Sequence, residues 1–188
     1  MKKLTFFLVV SAMMLFAGNT QAQTFEKGNN VLNLTVGFGS FYYIGTGYSV
    51  SPAFAASFEH CFWDNLINGD FSIGIGGFFG FQTSKYEYNY GSGYWGYNYT
   101  TIAPAGRGTF HWTYVENLDL YAGVHAGWRI VSSKETGTFV GTSEAAKSSG
   151  ILFGPFVGAR YYFTDMFGVV GEMGSGVAYM NLGVALKF

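Results

Sequence analysis

Residues 179–188 read "YMNLGVALKF", and they decide the fold. Met180, Leu182, Val184, Leu186 and Phe188 alternate with Tyr179, Asn181, Gly183, Ala185 and Lys187. A period of two is that of an extended strand, here with one wholly apolar face and one small-or-polar face. What such a strand faces on its apolar side is the question the rest of the chain has to answer.

The same alternation recurs upstream in seven further segments. Leu32, Leu34, Val36 and Phe38 oppose Asn33, Thr35, Gly37 and Gly39; Phe54, Ala56 and Phe58 oppose Ala55, Ser57 and Glu59. Phe71, Ile73, Ile75, Phe79 and Phe81 oppose Ser72, Gly74, Gly76 and Gly80. Ile102, Pro104, Phe110 and Trp112 oppose Arg107, Thr109 and His111; Leu120, Val124, Trp128 and Ile130 oppose Tyr121, His125 and Arg129. Ile151, Phe153, Val157 and Tyr161 oppose Gly154, Gly158, Arg160 and Tyr162, and a weaker segment sets Val169 and Met173 against Val170, Glu172 and Gly174. The bulky rows carry no Asp, Glu, Lys or Arg. The opposite rows carry Glu59, Arg107, Arg129, Arg160, Glu172 and Lys187.

Composition chooses between a soluble and a membrane barrel. Charged residues are 11% against about 25% in ordinary domains, while aromatics reach 20% and Gly numbers 28. A soluble barrel would leave a glycine-rich, charge-poor row facing water, where surfaces need roughly a quarter or more charged residues. Reversing the faces removes the difficulty: lipid takes the bulky row, and the small and charged row fills a narrow lumen.

At the other end, "MKK" precedes an apolar stretch over residues 4–17 and a small-residue site before Gln23. This predicts a secretory signal peptide over 1–22, too short to span a bilayer, ahead of one barrel domain over 23–188. Its removal takes Lys2 and Lys3 and moves the formal charge from −1 to −3, which excludes the basic surface of a nucleic-acid binder. Cys61 is alone, so no internal disulfide framework exists, and its role is a small inert filler.

Connections and aromatics follow the same plan. With the N-terminus periplasmic, residues 40–49, 83–99, 132–150 and 175–177 face outward, and the compact turns near 63–70, 113–119 and 164–166 face inward. Long outer loops with short inner turns are expected of such barrels, and only 175–177 departs from it. Trp63, Phe71, Trp112, Phe163, Phe167 and Phe188 fall near the inner turns; Phe38, Phe81, Trp128 and Phe153 fall toward the outer loops. These are the two girdles of an apolar band. The predicted fold is all-β: an eight-stranded, antiparallel, up-and-down transmembrane β-barrel behind an N-terminal signal peptide.

The alternating last strand ending in Phe188, with the hairpin "GEMGSGVAYMNLGVALKF" over 171–188, resembles the end of small outer-membrane barrels common in Bacteroidota. As a pattern, the likeness to the OmpA/OmpX-type eight-stranded class covers the whole mature chain. That resemblance implies a location in the bacterial outer membrane, lipid as the surrounding partner, insertion by the barrel-insertion machinery, and Phe188 as part of the assembly signal.

Two groups of residues are candidates for function. The lumen row collects Glu59, Arg107, His125, Arg129, Arg160, Glu172 and Lys187, with His111 beside them. Buried charges require partners. A third inner turn centred on Met166 sets Arg160 opposite Glu172, and a second centred on Glu116 sets Arg107 opposite His125. The expectation is a structural, hydrogen-bonded core, because eight strands leave room only for side chains. The second group lies in "KYEYNYGSGYWGYNY", residues 85–99. Tyr86, Tyr88, Tyr90, Tyr97 and Tyr99 share lumen-side parity, Tyr94 and Trp95 complete the aromatic set, and 91–93 supply turn glycines. A tyrosine face above the barrel mouth suits recognition of a surface glycan or a protein; equally, cross-strand tyrosine pairs would hold the hairpin together.

Other function classes fare worse. Outer-membrane proteases and acyltransferases resemble this class and place His, Asp or Ser near the outer rim, yet the outer loops here contain no His and no Asp. Asp64, Asp70, Glu116, Asp119 and Asp165 read as solvated turn residues, and scattered acids make a poor metal site. The expected function is non-enzymatic, with no cofactor, metal or catalytic residue: envelope structure, or surface interaction through aromatic-rich outer loops. A small pore and an outer-membrane enzyme are the alternatives.

Overall fold

The computed structural model describes residues 25–67, 71–91, 93–138 and 149–188; the proposed signal peptide, residues 1–22, lies outside them. The described residues run through nine strands: β1 (Asn30–Phe38), β2 (Tyr48–Val50), β3 (Ala53–Leu66), β4 (Phe71–Tyr90), β5 (Gly93–Val115), β6 (Leu118–Gly137), β7 (Gly150–Tyr162), β8 (Phe167–Gly174) and β9 (Met180–Lys187). Leaving β2 aside, each pairs antiparallel with the next strand around a ring, and β9 returns to β1. Eight strands make the closed barrel. The ninth, β2, pairs only with the top of β4, where Tyr48 faces Tyr86 and Val50 faces Ser84. It extends the line of β3 across a break at Ser51 and Pro52, where proline offers no N–H to the ladder. The Ser51 backbone N–H and hydroxyl fill the gap by donating to the Thr83 carbonyl at 3.0 and 2.9 Å.

Closure follows from the last strand. Asn30 and Phe188 exchange both backbone hydrogen bonds, at 2.7 and 2.9 Å, so the final residue completes the β1–β9 seam. Followed from strand to strand, the registers bring a row back to β1 roughly ten residues higher. That stagger tilts the strands by about 40–45° and narrows the interior to side-chain width.

Burial separates the two rows as the alternation predicts. Outward residues such as Leu34, Phe54, Phe79, Trp128, Phe153 and Leu182 are exposed, whereas Asn33, Glu59, Arg107, His125, Arg160 and Glu172 are buried. From Phe71 to Phe81 the exposed side of β4 is apolar; those ten steps of about 3.4 Å, tilted, rise about 25 Å. Phe71 stacks on Phe110 and Trp112 at the inner edge of the band. An exposed apolar belt of this height matches the hydrocarbon layer of a bilayer rather than water.

The lumen is filled in layers. At the end that carries the short turns, Phe25 turns inward and packs with Val31, Cys61, Tyr162, Val170 and Ala185. A charged layer lies above it. Then come Phe156 and Phe78 on either side of His125, with ring centroids 4.2 and 4.4 Å away. The short outer connection between β8 and β9 does not stand above the barrel but dips into it. Val177 and Ala178 are fully buried against Ala53, Phe78, Ala103 and Leu152. Ser175 Oγ donates to the Gly154 carbonyl at 2.7 Å. This explains why the fourth outer loop departs from the long-loop rule: its small residues are the lid of the lumen.

Candidate functional site

Inside the barrel, Glu59 on β3, Arg107 on β5, Arg160 on β7 and Glu172 on β8 converge on one buried network. Arg160 pairs with Glu59, donates from Nη1 to Asp119 Oδ2 at 2.9 Å and from Nε to Asn33 Oδ1 at 3.2 Å. Arg107 Nη2 donates to Glu172 Oε1 at 2.7 Å, and the Tyr121 hydroxyl donates to the same oxygen at 2.7 Å. Each guanidinium also lies over a ring, Arg107 4.4 Å from Phe156 and Arg160 4.3 Å from Tyr121. Gly158 faces Tyr121 across the strands. A Cβ there would run into the tyrosine ring, so glycine is what lets Tyr121 lie flat and reach Glu172.

Several sequence-level placements need correction. Arg160 does not meet Glu172: Arg160 faces Val170 and Glu172 faces Gly158. The turn centres on Asp165, and moving a turn centre by one residue moves every partner by two. Arg107 does face His125, but the side chains separate, and His125 Nδ1 turns to Ser175 at 3.1–3.2 Å. Arg129 and Lys187 lie outside the cluster, over the rings of Tyr42 at 4.0 Å and Tyr162 at 4.7 Å. Asp119 is not a solvated turn residue; it is fully buried and central. Its odd-numbered position beside Tyr121, His125 and Arg129 was the available signal, since it shares their parity.

Asp119, His111 and Thr109 form a carboxylate–imidazole–hydroxyl series, with Asp119 Oδ1 2.8 Å from His111 Nδ1 and Thr109 Oγ1 2.9 Å from Nε2. This is the spacing of a proton relay, but its surroundings are those of a core. His111 and Asp119 are 0% exposed, the Thr109 hydroxyl donates to Glu59, and the ring of Phe25 covers His111 at 4.2 Å. A nucleophile sealed in this way meets no substrate. Among the described residues, no group of three or more His, Cys, Asp or Glu is arranged to hold a metal.

The second candidate stands above the apolar belt. Past the row of Phe81, Ile102 and Ile130, strands β4, β5 and β6 continue upward, and β2 joins them, making a four-stranded sheet. Cross-strand pairing puts Tyr48 beside Tyr86, Tyr86 beside Tyr97, and Tyr97 beside Glu135. The rings of Tyr43, Tyr48, Tyr86, Tyr97 and Tyr99 form one chain of contacts with centroids 4.9–6.5 Å apart. Trp95 adds an edge contact to Tyr97 at 4.8 Å and donates Nε1–H to Glu135 Oε1 at 2.7 Å. Gly91, at φ 56°, provides the left-handed residue of the tip.

The parity predicted for Tyr86, Tyr88, Tyr97 and Tyr99 matches this face; Tyr94 points to the other side, and the side chain of Tyr90 lies outside the described residues. Sequence reading missed the contribution of residues 39–47. Tyr43 reaches across to Thr101 Oγ1 at 2.9 Å, and Phe41 packs edge-on to Tyr179 at 4.2 Å. The aromatic density of "FYYIGTGY", residues 41–48, was the signal for it. Desolvation, followed by the neighbouring tyrosines, raises the Tyr99 phenol above its usual range, so it stays a neutral hydroxyl at neutral pH.

No family model matches the chain, and no curated protein matches it. Among solved structures it is similar to the N-terminal β-barrel domain of Pseudomonas aeruginosa OprF, at TM-score 0.45 and 12% identity over 86% of this chain and 98% of that one. It is similar also to Ail, the attachment invasion locus protein of Yersinia pestis, in complex with the heparin analogue sucrose octasulfate, at TM-score 0.42 and 11% identity over 86% and 99%. At such identities no residue's role passes from one chain to the other.

Proposed function

We propose that this chain is a non-enzymatic protein of the bacterial outer membrane, exported by the segment 1–22 and inserted through its last strand. Its upper sheet serves as a recognition surface for an extracellular glycan or protein. The observation that carries this reading is the sheet of β2, β4, β5 and β6 above the belt. Its tyrosine face combines large contact area with hydroxyl groups held in place by neighbouring rings. Tyr48 and Tyr88 are 37% and 55% exposed and available for contact. The packed lumen supports a role without conduction, since Phe25 below and Val177 above close both ends of the charged layer.

The experiment is binding of cells displaying the barrel to a glycan array and to extracellular-matrix proteins. Cells carrying the triple substitution Tyr48→Ser, Tyr86→Ser and Tyr88→Ser are compared at equal surface level. Loss of a bound ligand by about tenfold or more is expected, as for anchors at an interface centre. Identical profiles for the two strains would refute the assignment, and steady single-channel conductance of the purified protein would favour the pore.

A further inference from the structure

The lipid-facing surface is not uniformly bulky. On β4, β5 and β6, Gly77, Gly106 and Ala126 stand side by side in one outward row, with Gly108 below Gly106. They floor a groove of about 690 Å³ walled by Phe58, Phe79, Pro104 and Trp128. The glycines are not required by the barrel itself. A Cβ at Gly108 would meet nothing within 4 Å, and at Gly77 and Gly106 only carbonyl oxygens at 3.7–4.0 Å, ordinary contact distances. None of the three has a positive φ. Elsewhere the situation differs: a Cβ at Gly76 or Gly183 would run into a neighbouring backbone carbonyl. The outward glycines therefore shape a depression that only something outside the protein fills.

A polar depression lies above it on the same wall. The glycine-floored groove shares Ala56 and Phe79 with a second apolar groove of about 370 Å³, lined further by Leu34, Val36, Phe54 and Phe81. Directly beyond Phe54 and Phe81 on the same strands come Ser51 and Thr83. With Ser49, Lys85, Asn98 and Thr100 they line a polar groove of about 440 Å³ on the outward face. Pairing aligns Ser49, Lys85, Asn98 and Lys134 in one row across β2, β4, β5 and β6. Lys85 is 2.6 Å from Glu87 Oε1, and both side chains are over two-fifths exposed. The row lies four residues past Phe81 and Ile130, about 10 Å above the apolar band, from which lysine stems reach down to the headgroups.

We infer that these three grooves are one binding site for an outer-leaflet lipid with an anionic, phosphate-bearing headgroup. Its acyl chain lies over Ala56, Gly77 and Gly106, and its phosphate sits between Lys85, Asn98 and Lys134. The apolar part fixes the chain, Ser49, Asn98 and Thr100 offer donors, and the two lysines supply the charge complement. Attraction of a lysine near an anionic lipid surface corresponds to about fivefold in affinity.

The inference rests on the outer-membrane reading, and the test separates the two. The full mature chain is folded into mixed micelles containing phosphatidylglycerol and phosphatidylcholine, and retained lipid is read by native mass spectrometry. Heat-modifiable gel mobility reports independently that the barrel is formed. Wild type is expected to keep one phosphatidylglycerol in preference to phosphatidylcholine by fivefold or more. Lys85→Gln with Lys134→Gln should abolish the preference, and Gly77→Leu with Gly106→Leu should abolish retention of either lipid while mobility is unchanged. Equal retention of both lipids by wild type and variants would overturn the site, as would a second copy of the chain occupying the groove in place of lipid. Failure of wild type to enter micelles as a heat-modifiable barrel would instead overturn the membrane reading.

Discussion

Replacing Arg160 by Met removes the cation at the centre of the lumen and strands two carboxylates, because Arg160 is the shared partner of Glu59 and Asp119. All three side chains have 0% exposure. Breaking a buried pair costs about 3–5 kcal/mol, and two stranded acids place this variant at the upper end. Asp119→Asn is milder, about 1–3 kcal/mol, since the amide oxygen still accepts from Arg160. Once Arg160 is gone, Asp119 keeps only the His111 imidazole, so Asn at 119 removes a buried charge that has lost its guanidinium and costs little further. Arg160→Met with Asp119→Asn should thus be about as stable as Arg160→Met alone, a coupling of about 1–3 kcal/mol. The assay is reversible urea unfolding of the barrel in lipid vesicles, followed by tryptophan emission. Glu172→Gln provides the contrast, because Glu172 is held by Arg107 and Tyr121; combined with Arg160→Met it should show a coupling below about 1 kcal/mol. Additive losses for Arg160 and Asp119 would refute the register of β6 and β7, and a larger coupling of Arg160 to Glu172 would refute that of β7 and β8.

Further outcomes follow from the same geometry. Gly76→Ala, whose Cβ would meet the Phe58 carbonyl, should destabilise the barrel by about 1–3 kcal/mol, while Gly108→Ala, with nothing within 4 Å, should be neutral in the same unfolding assay. Deleting Phe188 removes both hydrogen bonds to Asn30 and a 62% exposed apolar residue. Outer-membrane yield and heat-modifiable mobility should fall more than for deletion of any one residue in 41–46. Protease added outside intact cells should cut within 39–47 or 138–149 and spare the inner turns at 116–117 and 163–166, with the fragments mapped by mass spectrometry.

Legibility differed by kind of contact. Which row faces outward was readable because a strand's side chains alternate by geometry alone, and the unbroken apolar rows left one medium that fits them. Inward Phe78, Leu152 and Phe156 were not readable from that rule, since they are bulky residues on the small-and-polar row; they form the upper lumen layer around His125. The charge network was legible as a set but not as pairs. Asp119 and Arg160 lie directly opposite on β6 and β7, but the other pairs join strands that are not neighbours, β3 with β7 and β5 with β8, and meet only because closure and stagger make the barrel narrow. The upper sheet was half legible. The 85–99 hairpin announces itself by alternation around glycines, whereas β2 is a three-residue strand that exists only through its pairing with β4.

Site-directed labelling reads directly which side of the barrel wall meets lipid. Nitroxide labels placed singly at positions 75, 79, 80, 83 and 85 of β4, in a Cys61→Ala background and in lipid vesicles, report access to oxygen and to an aqueous nickel chelate. Outward Ile75 and Phe79 should be open to oxygen and closed to nickel, inward Gly80 closed to both, and access to nickel should rise from Thr83 to Lys85. Free access of the aqueous reagent at Ile75 and Phe79 would contradict the membrane-facing belt, and with it the barrel's placement in the bilayer.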